Sequence, residues 1–153
     1  MEFHANSAFS FLRGAAQPEQ LIRTAASLDI PALAVLDRNG VYGSARAHHD
    51  GLEKGVRAIV GAELVMEDES VLPVIARTRS GYQNLCQLLT EAQLRAAKGE
   101  ARVRWDELSA YTEGLIALTG DHGGPLGRIW ELQDKHAIEI RMQHLMGCFG
   151  REG

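Results

Sequence analysis

The sequence has no uninterrupted apolar run near the roughly 18 residues that a membrane span requires, and its first residues are acidic and polar rather than those of a signal peptide. It has no basic excess. Its 16 Lys and Arg stand against 20 Asp and Glu, a net charge of −4, so it lacks the cationic face that autonomous nucleic-acid binding requires. Cysteine is scarce. Cys86 and Cys148 are far apart and neither forms a CxxC pair, which excludes a disulfide scaffold and a thiolate zinc site and fits a reducing cytoplasm. Cys86 falls in a helical apolar stripe and is expected to be a buried free thiol. There is no internal repeat and no low-complexity segment.

What is present is an ordinary globular composition, 45% hydrophobic and 24% charged over 153 residues, enough for one compact domain with a core. Strand and helix signals alternate. EFHA at Glu2 is a short strand. Pro18–Asp29 is a helix with proline in its first turn and Glu19 near the positive end of its dipole. Ile30–Asp37 is a continuous apolar run, the pattern of a strand buried on both faces. A helix over 42–54 follows, with Val41, Ala45, His48 and Leu52 as its apolar stripe and Gly55 as its stop. Strands are expected at 56–66 and at Val71–Arg77, then a long helix over 81–98 with Tyr82, Leu85, Cys86, Leu89, Ala92 and Ala96 inward. A short helix and turn at 104–114, a strand at Leu115–Gly120, a helix from Gly124 and a last strand at Ala137–Met142 complete the series. Met66–Ser70, MEDES, is expected to be a solvated acidic turn. This order predicts an α/β fold with mainly parallel strands.

In such a sheet, chemistry collects at the carboxyl ends of the strands. His4, Asp37 and Glu63 end the first three strands, and imidazole with carboxylates suits a divalent metal. Asp37 followed by RNG equally suits a turn, because Asp and Asn bond their own backbone and Gly takes positive φ. Both readings stand on spacing alone. Other candidates are weaker. His48 and His49 diverge by about 100° on a helix and do not chelate together. Thr119–Gly127 is glycine-rich but matches no phosphate-loop pattern. Ser7 and Ser10 lie near His4 without defining a triad. The basic residues of Leu94–Trp105, with Trp105 as a stacking group, are expected to be a solvated helix end rather than a nucleic-acid contact.

EFHANSAFSFLRGA (2–15), LAVLDRNGVYG (33–43), VGAELVM (60–66) and ARTRSGYQNLCQLLTEAQLRAAKGE (76–100) together resemble the N-terminal region of bacterial C-family DNA polymerases, the replicative alpha subunits. That region is the polymerase and histidinol phosphatase (PHP) domain, and FLRGA and DRNG are most similar to the error-prone branch, associated with damage-induced lesion bypass. The resemblance implies a distorted TIM-like barrel, incomplete in this chain, with a PHP segment over 1–145 and an unstructured tail over 146–153. Intact PHP relatives hold zinc or manganese at the barrel rim.

This sequence departs from the family's pattern at the rim. The family's first motif usually reads His-x-His, and here it is His4-Ala5-Asn6. Arg13 stands where metal-binding members often carry Asp, and Arg38 where Asp-His is usual. A further family histidine has Val71 near its place. His4, Asp37 and Glu63 are therefore expected to be vestigial rim positions, with Arg13 and Arg38 as plugs pairing with Asp37 and Glu63, and no bound metal cofactor. By resemblance the chain is part of an error-prone DNA polymerase, mainly structural and inactive by itself. The magnesium-binding palm lies elsewhere, the partner is the rest of the polymerase, and DNA is met only through the full-length protein. The alternatives are a small metal-dependent phosphoesterase and a PHP-type 3'-5' exonuclease.

Overall fold

A computed structural model describes residues 1–150. The chain divides into two compact units, Met1–Glu63 and Leu64–Gly153. The first contains β1 (Glu2–Ala5), α1 (Pro18–Ser27), β2 (Ala32–Arg38), α2 (Ser44–Lys54) and most of β3 (Arg57–Val65). Strand β3 runs on into the second unit, which adds β4 (Val71–Ala76), α3 (Arg79–Leu94), a 3-10 turn at Leu108–Ala110, β5 (Leu115–Ala117), α4 (Pro125–Glu131) and α5 (Lys135–Phe149). The strand order is β1-β2-β3-β4-β5. β1 pairs with β2 and β2 with β3 in parallel, whereas β5 lies antiparallel to β4.

In the first unit the two parallel crossovers pass through α1 and α2. Residues 32–37 are buried throughout, as a strand covered on both faces requires. Ile22 and Ala25 of α1 pack with Leu33 and Val35 of β2, Ala47 of α2 and Val56. The register sets Asp37 beside Ala62 and Arg38 beside Glu63, so the strand ends that carry polar groups finish together. Gly55 ends α2 at φ +70°, a conformation that costs glycine little because it has no Cβ.

The inward face of α2 differs from the expected stripe. Ala47, Asp50 and Gly51 are buried, while Ala45, His48 and Leu52 are exposed. Ala47 packs with Ile22 and Ala25 of α1, Gly51 lies against the Val56 carbonyl, which a Cβ there would approach to 2.5 Å, and Asp50 is tied to Arg23 at 3.3 Å. Hydrophobic spacing selected the larger side chains and so the wrong face.

The second unit buries Leu85, Leu88, Leu89 and Ala92 of α3. Tyr82 is exposed and Cys86 half-buried, so the expected buried thiol is corrected. Cys86 lies at the margin of the stripe, whose centre is Leu85, Leu88 and Ala92. The strand expected at 137–142 is helix, part of α5. AIEIRM alternates like a strand, but Asp134 caps a helix by accepting from Ala137 N at 3.0 Å. Residues 146–149, expected within an unstructured tail, complete that helix, and 151–153 lie outside the described residues. No described helix is long and apolar enough to cross a membrane.

Candidate functional site

The carboxyl ends of β1, β2 and β3 bring His4, Asn6, Asp37, Arg38 and Glu63 together within the first unit. Asp37 is buried at 1% exposure and is bonded by neutral donors. Its Oδ1 accepts from the Ser7 backbone N–H (3.0 Å) and from the Ser10 hydroxyl (2.8 Å). The Ser7 hydroxyl lies 2.8 and 2.9 Å from the two Asp37 oxygens, and Gly43 N–H donates to Oδ2 at 2.9 Å. The Ser10 hydroxyl also accepts from Arg38 N–H at 3.1 Å. A Cβ at position 43 would come within 2.7 Å of Asp37 Oδ2, so the VYG segment needs glycine for this approach. Asp37 thus anchors both the 7–16 loop and the entry to α2, which is the turn role with tertiary partners added.

Glu63 is 4% exposed and is held by ionic groups. Arg38 Nε and Nη2 both donate to Oε2 at 3.1 Å, and His4 Nε2 lies 2.7 Å from Oε1. Burial is the largest influence on this carboxyl and pushes its pKa up. The hydrogen bonds from His4 and Asn6 and the Arg38 guanidinium outweigh it and hold the group below the ordinary glutamate range. Asn6 also donates to Leu36 O at 2.6 Å.

The expected pairing of Arg38 with Glu63 is present. That of Arg13 is not. Arg13 is exposed, and the groups bonded to Asp37 and Glu63 do not include it. Its loop turns outward after Ser10, with Leu12 at φ +62°, and sequence position alone could not show that turn. Sequence reasoning weighed Ser7 and Ser10 only for a nucleophile, so it missed their role as Asp37 partners. The signal was two hydroxyls three residues apart before a turn, which suits side-chain capping of a loop.

These side chains do not fit a divalent metal. The carboxylate oxygens of Asp37 and Glu63 are engaged by donors, and the guanidinium of Arg38 lies against Glu63 where a cation would bind. Among the described residues no three His, Cys, Asp or Glu side chains form a group able to hold a metal ion.

The weaker candidates are placed apart from this site. His48 and His49 are exposed, with His49 3.7 Å from Glu53. Thr119–Gly127 runs from the connection after β5 into the first turn of α4. The basic run near Leu94–Trp105 is largely taken by carboxylates: Arg95 pairs with Glu107, Arg102 with Glu69 at 2.9 Å, and Arg104 with Asp106 at 3.3 Å. One face of Trp105 is covered by the Arg141 guanidinium, 3.8 Å from the ring centroid. Trp105 Nε1 donates to Asp68 at 2.9 Å.

Comparison with known proteins places this chain in a family. The PHP domain family matches residues 2–153. The chain belongs to that family. The PHP chain is 37% identical to an error-prone DNA polymerase of Anaeromyxobacter sp. strain K over 94% of its length, and 40% identical to one of Pseudomonas aeruginosa over 80%. It is 39% identical to error-prone DNA polymerase 1 of Agrobacterium fabrum over 76%. It spans only 14%, 12% and 11% of these relatives' own lengths. A solved structure from Bifidobacterium adolescentis, described as a metal-dependent phosphoesterase, has a TM-score of 0.50 and 21% identity, covering 72% of this chain and 42% of its own. That likeness concerns the fold, which is the α/β PHP fold of distorted TIM-like type.

Proposed function

We propose that this chain is the PHP segment of an error-prone C-family DNA polymerase and acts there as a structural platform, its former metal rim closed by Arg38. The names of the relatives support the polymerase setting. The observation that carries the structural role is the engagement of both Glu63 oxygens, one by Arg38 and one by His4. A catalytic zinc site usually keeps about three protein ligands and an open position, and this donor set supplies neither.

In this reading DNA synthesis from deoxynucleoside triphosphates belongs to palm carboxylates outside these 153 residues, where magnesium supplies charge neutralisation. The partner is the rest of the polymerase, DNA is bound through the complete protein, and the setting is the cytoplasm. The chain alone is catalytically inactive and holds no stoichiometric metal.

The test is elemental analysis of protein purified without chelator, together with a phosphoester hydrolysis assay. The expected result is less than one equivalent of zinc, manganese or iron and no hydrolysis. Stoichiometric metal with hydrolysis would establish the alternative, a metal-dependent phosphoesterase or 3'-5' exonuclease.

A further inference from the structure

The loop that Asp37 anchors has an unusual tip. Its base is held by Ser7 and Ser10, and its own backbone closes it through Ala8 N–H to Ala16 O at 2.8 Å and Arg13 N–H to Ser10 O at 2.9 Å. On this fixed base, Phe11 is 84% and Leu12 90% exposed. Leu12 is left-handed, which costs a branched side chain about 1–2 kcal/mol. Exposed Arg13 follows at once. Fixed backbone, strain and two large apolar side chains in water, with a cation beside them, describe a preorganised knob.

The second unit carries a surface of opposite character. A groove of about 520 Å³ is lined by Leu126, Trp130 and Ile138, with Asp121 and Glu131 also on its wall. That volume lies within the roughly 300–1,000 Å³ range of binding pockets. Trp130 is 69% exposed. Among the described residues, His122 is the one potentially cationic side chain on the lining.

We infer that the Phe11-Leu12-Arg13 knob of one molecule docks into the Leu126–Trp130–Ile138 groove of a second copy, with Arg13 meeting Asp121 or Glu131. The occupant is chosen by complementarity of both kinds, apolar to apolar and guanidinium to carboxylate. The contact is heterologous, so each copy keeps one free knob and one free groove, and assembly proceeds head to tail. This inference does not depend on the polymerase reading, because neither surface includes the His4–Arg38–Glu63 cluster.

The test is sedimentation equilibrium of the 153-residue chain over a concentration series, with circular dichroism to verify folding. The parent is expected to show species beyond the dimer as concentration rises. A knob variant, Phe11→Ser with Leu12→Ser, and a groove variant, Trp130→Ala with Glu131→Arg, are each expected to be monomeric. Mixed in equal amounts, they are expected to stop at a 1:1 dimer, because one supplies an intact groove and the other an intact knob. Arg13→Glu is expected to weaken parent association about tenfold, and Glu131→Arg on the other copy to restore it. A parent that stays monomeric up to about 1 mM overturns the inference and leaves these surfaces to a different partner. So do variants that associate like the parent, or a mixture that remains monomeric.

Discussion

Asp37 and Glu63 end neighbouring strands of the first unit, whereas Asp68 sits on the turn after β3 in the second. All three carboxylates are fully engaged, but by different means. Asp37 is held by hydroxyls and backbone N–H groups, Glu63 by a guanidinium and an imidazole. Asp68 bonds Ser70 through one oxygen, and Trp105 (2.9 Å) and Arg141 (3.1 Å) through the other. The rim groups are buried and cost much to leave unpaired, so they fix backbone. Asp68 is partly exposed and works in higher dielectric, so it guides where α5 rests without dominating stability. Alpha5 itself has no buried residue. A carboxylate's own burial, more than the charge of its donors, therefore decides what it does for the fold.

The sharpest break in that comparison is Asp37→Ala. It would strand the Ser7 and Ser10 hydroxyls and two N–H groups, at an expected cost of about 3–5 kcal/mol. Urea denaturation measures it, and a loss under 1 kcal/mol would mean that the loop does not need its anchor.

Glu63 can be tested by building a metal site at the rim. Asn6→His with Arg38→His supplies two imidazoles beside His4 and Glu63 and removes one cation. At a free zinc concentration one hundred times Kd, stability should rise by about 2.7 kcal/mol, roughly 5–10 °C in melting temperature. The parent should stay flat. Adding Arg13→Asp should change little, since Arg13 points into solvent. An equal response in parent and variant would show that these positions do not line one site.

Acid titration probes the same carboxylate in the unaltered rim. Because the folded pKa of Glu63 is depressed, its contribution is full above the ordinary glutamate range and is lost as pH falls through the lower folded value. Denaturation midpoints measured from about pH 6 to about pH 3 should fall less steeply in Glu63→Gln than in the parent. Parallel slopes would deny the pairing any energetic weight.

The smallest effect is expected in the second unit. Arg141→Ala removes a partly exposed ion pair and the cation–π contact with Trp105, about 1 kcal/mol. Hydrogen exchange should quicken in α5 while β2 and β3 remain protected. Uniform loss of protection would make Arg141 as central as Asp37.

Much of the first unit was legible in the sequence. The continuous apolar run at Ile30–Asp37 and the punctuation at Pro18 and Gly55 are local signals, and local signals survive folding. His4, Asp37 and Glu63 were placed at one rim because parallel strands finish on one side. The face of α2 was not legible, because Ala47 meets α1 and Gly51 meets the Val56 carbonyl, and spacing does not register how near a neighbour comes. AIEIRM read as a strand because alternation over six residues does not record the Asp134 cap that starts a helix before it.

By itself the sequence determined the α/β order of the first unit and the presence of an amide at Asn6 and a cation at Arg38. Both are properties of residue identity and local pattern. The tertiary structure decided which arginine pairs with Glu63. Arg13 and Arg38 are equal as charges on a line of text, but strand register sets Arg38 opposite Glu63, and the Ser10 turn carries Arg13 into water. A guanidinium reaches only a carboxylate within the span of its side chain, and that distance is set by pairing between strands 25 residues apart.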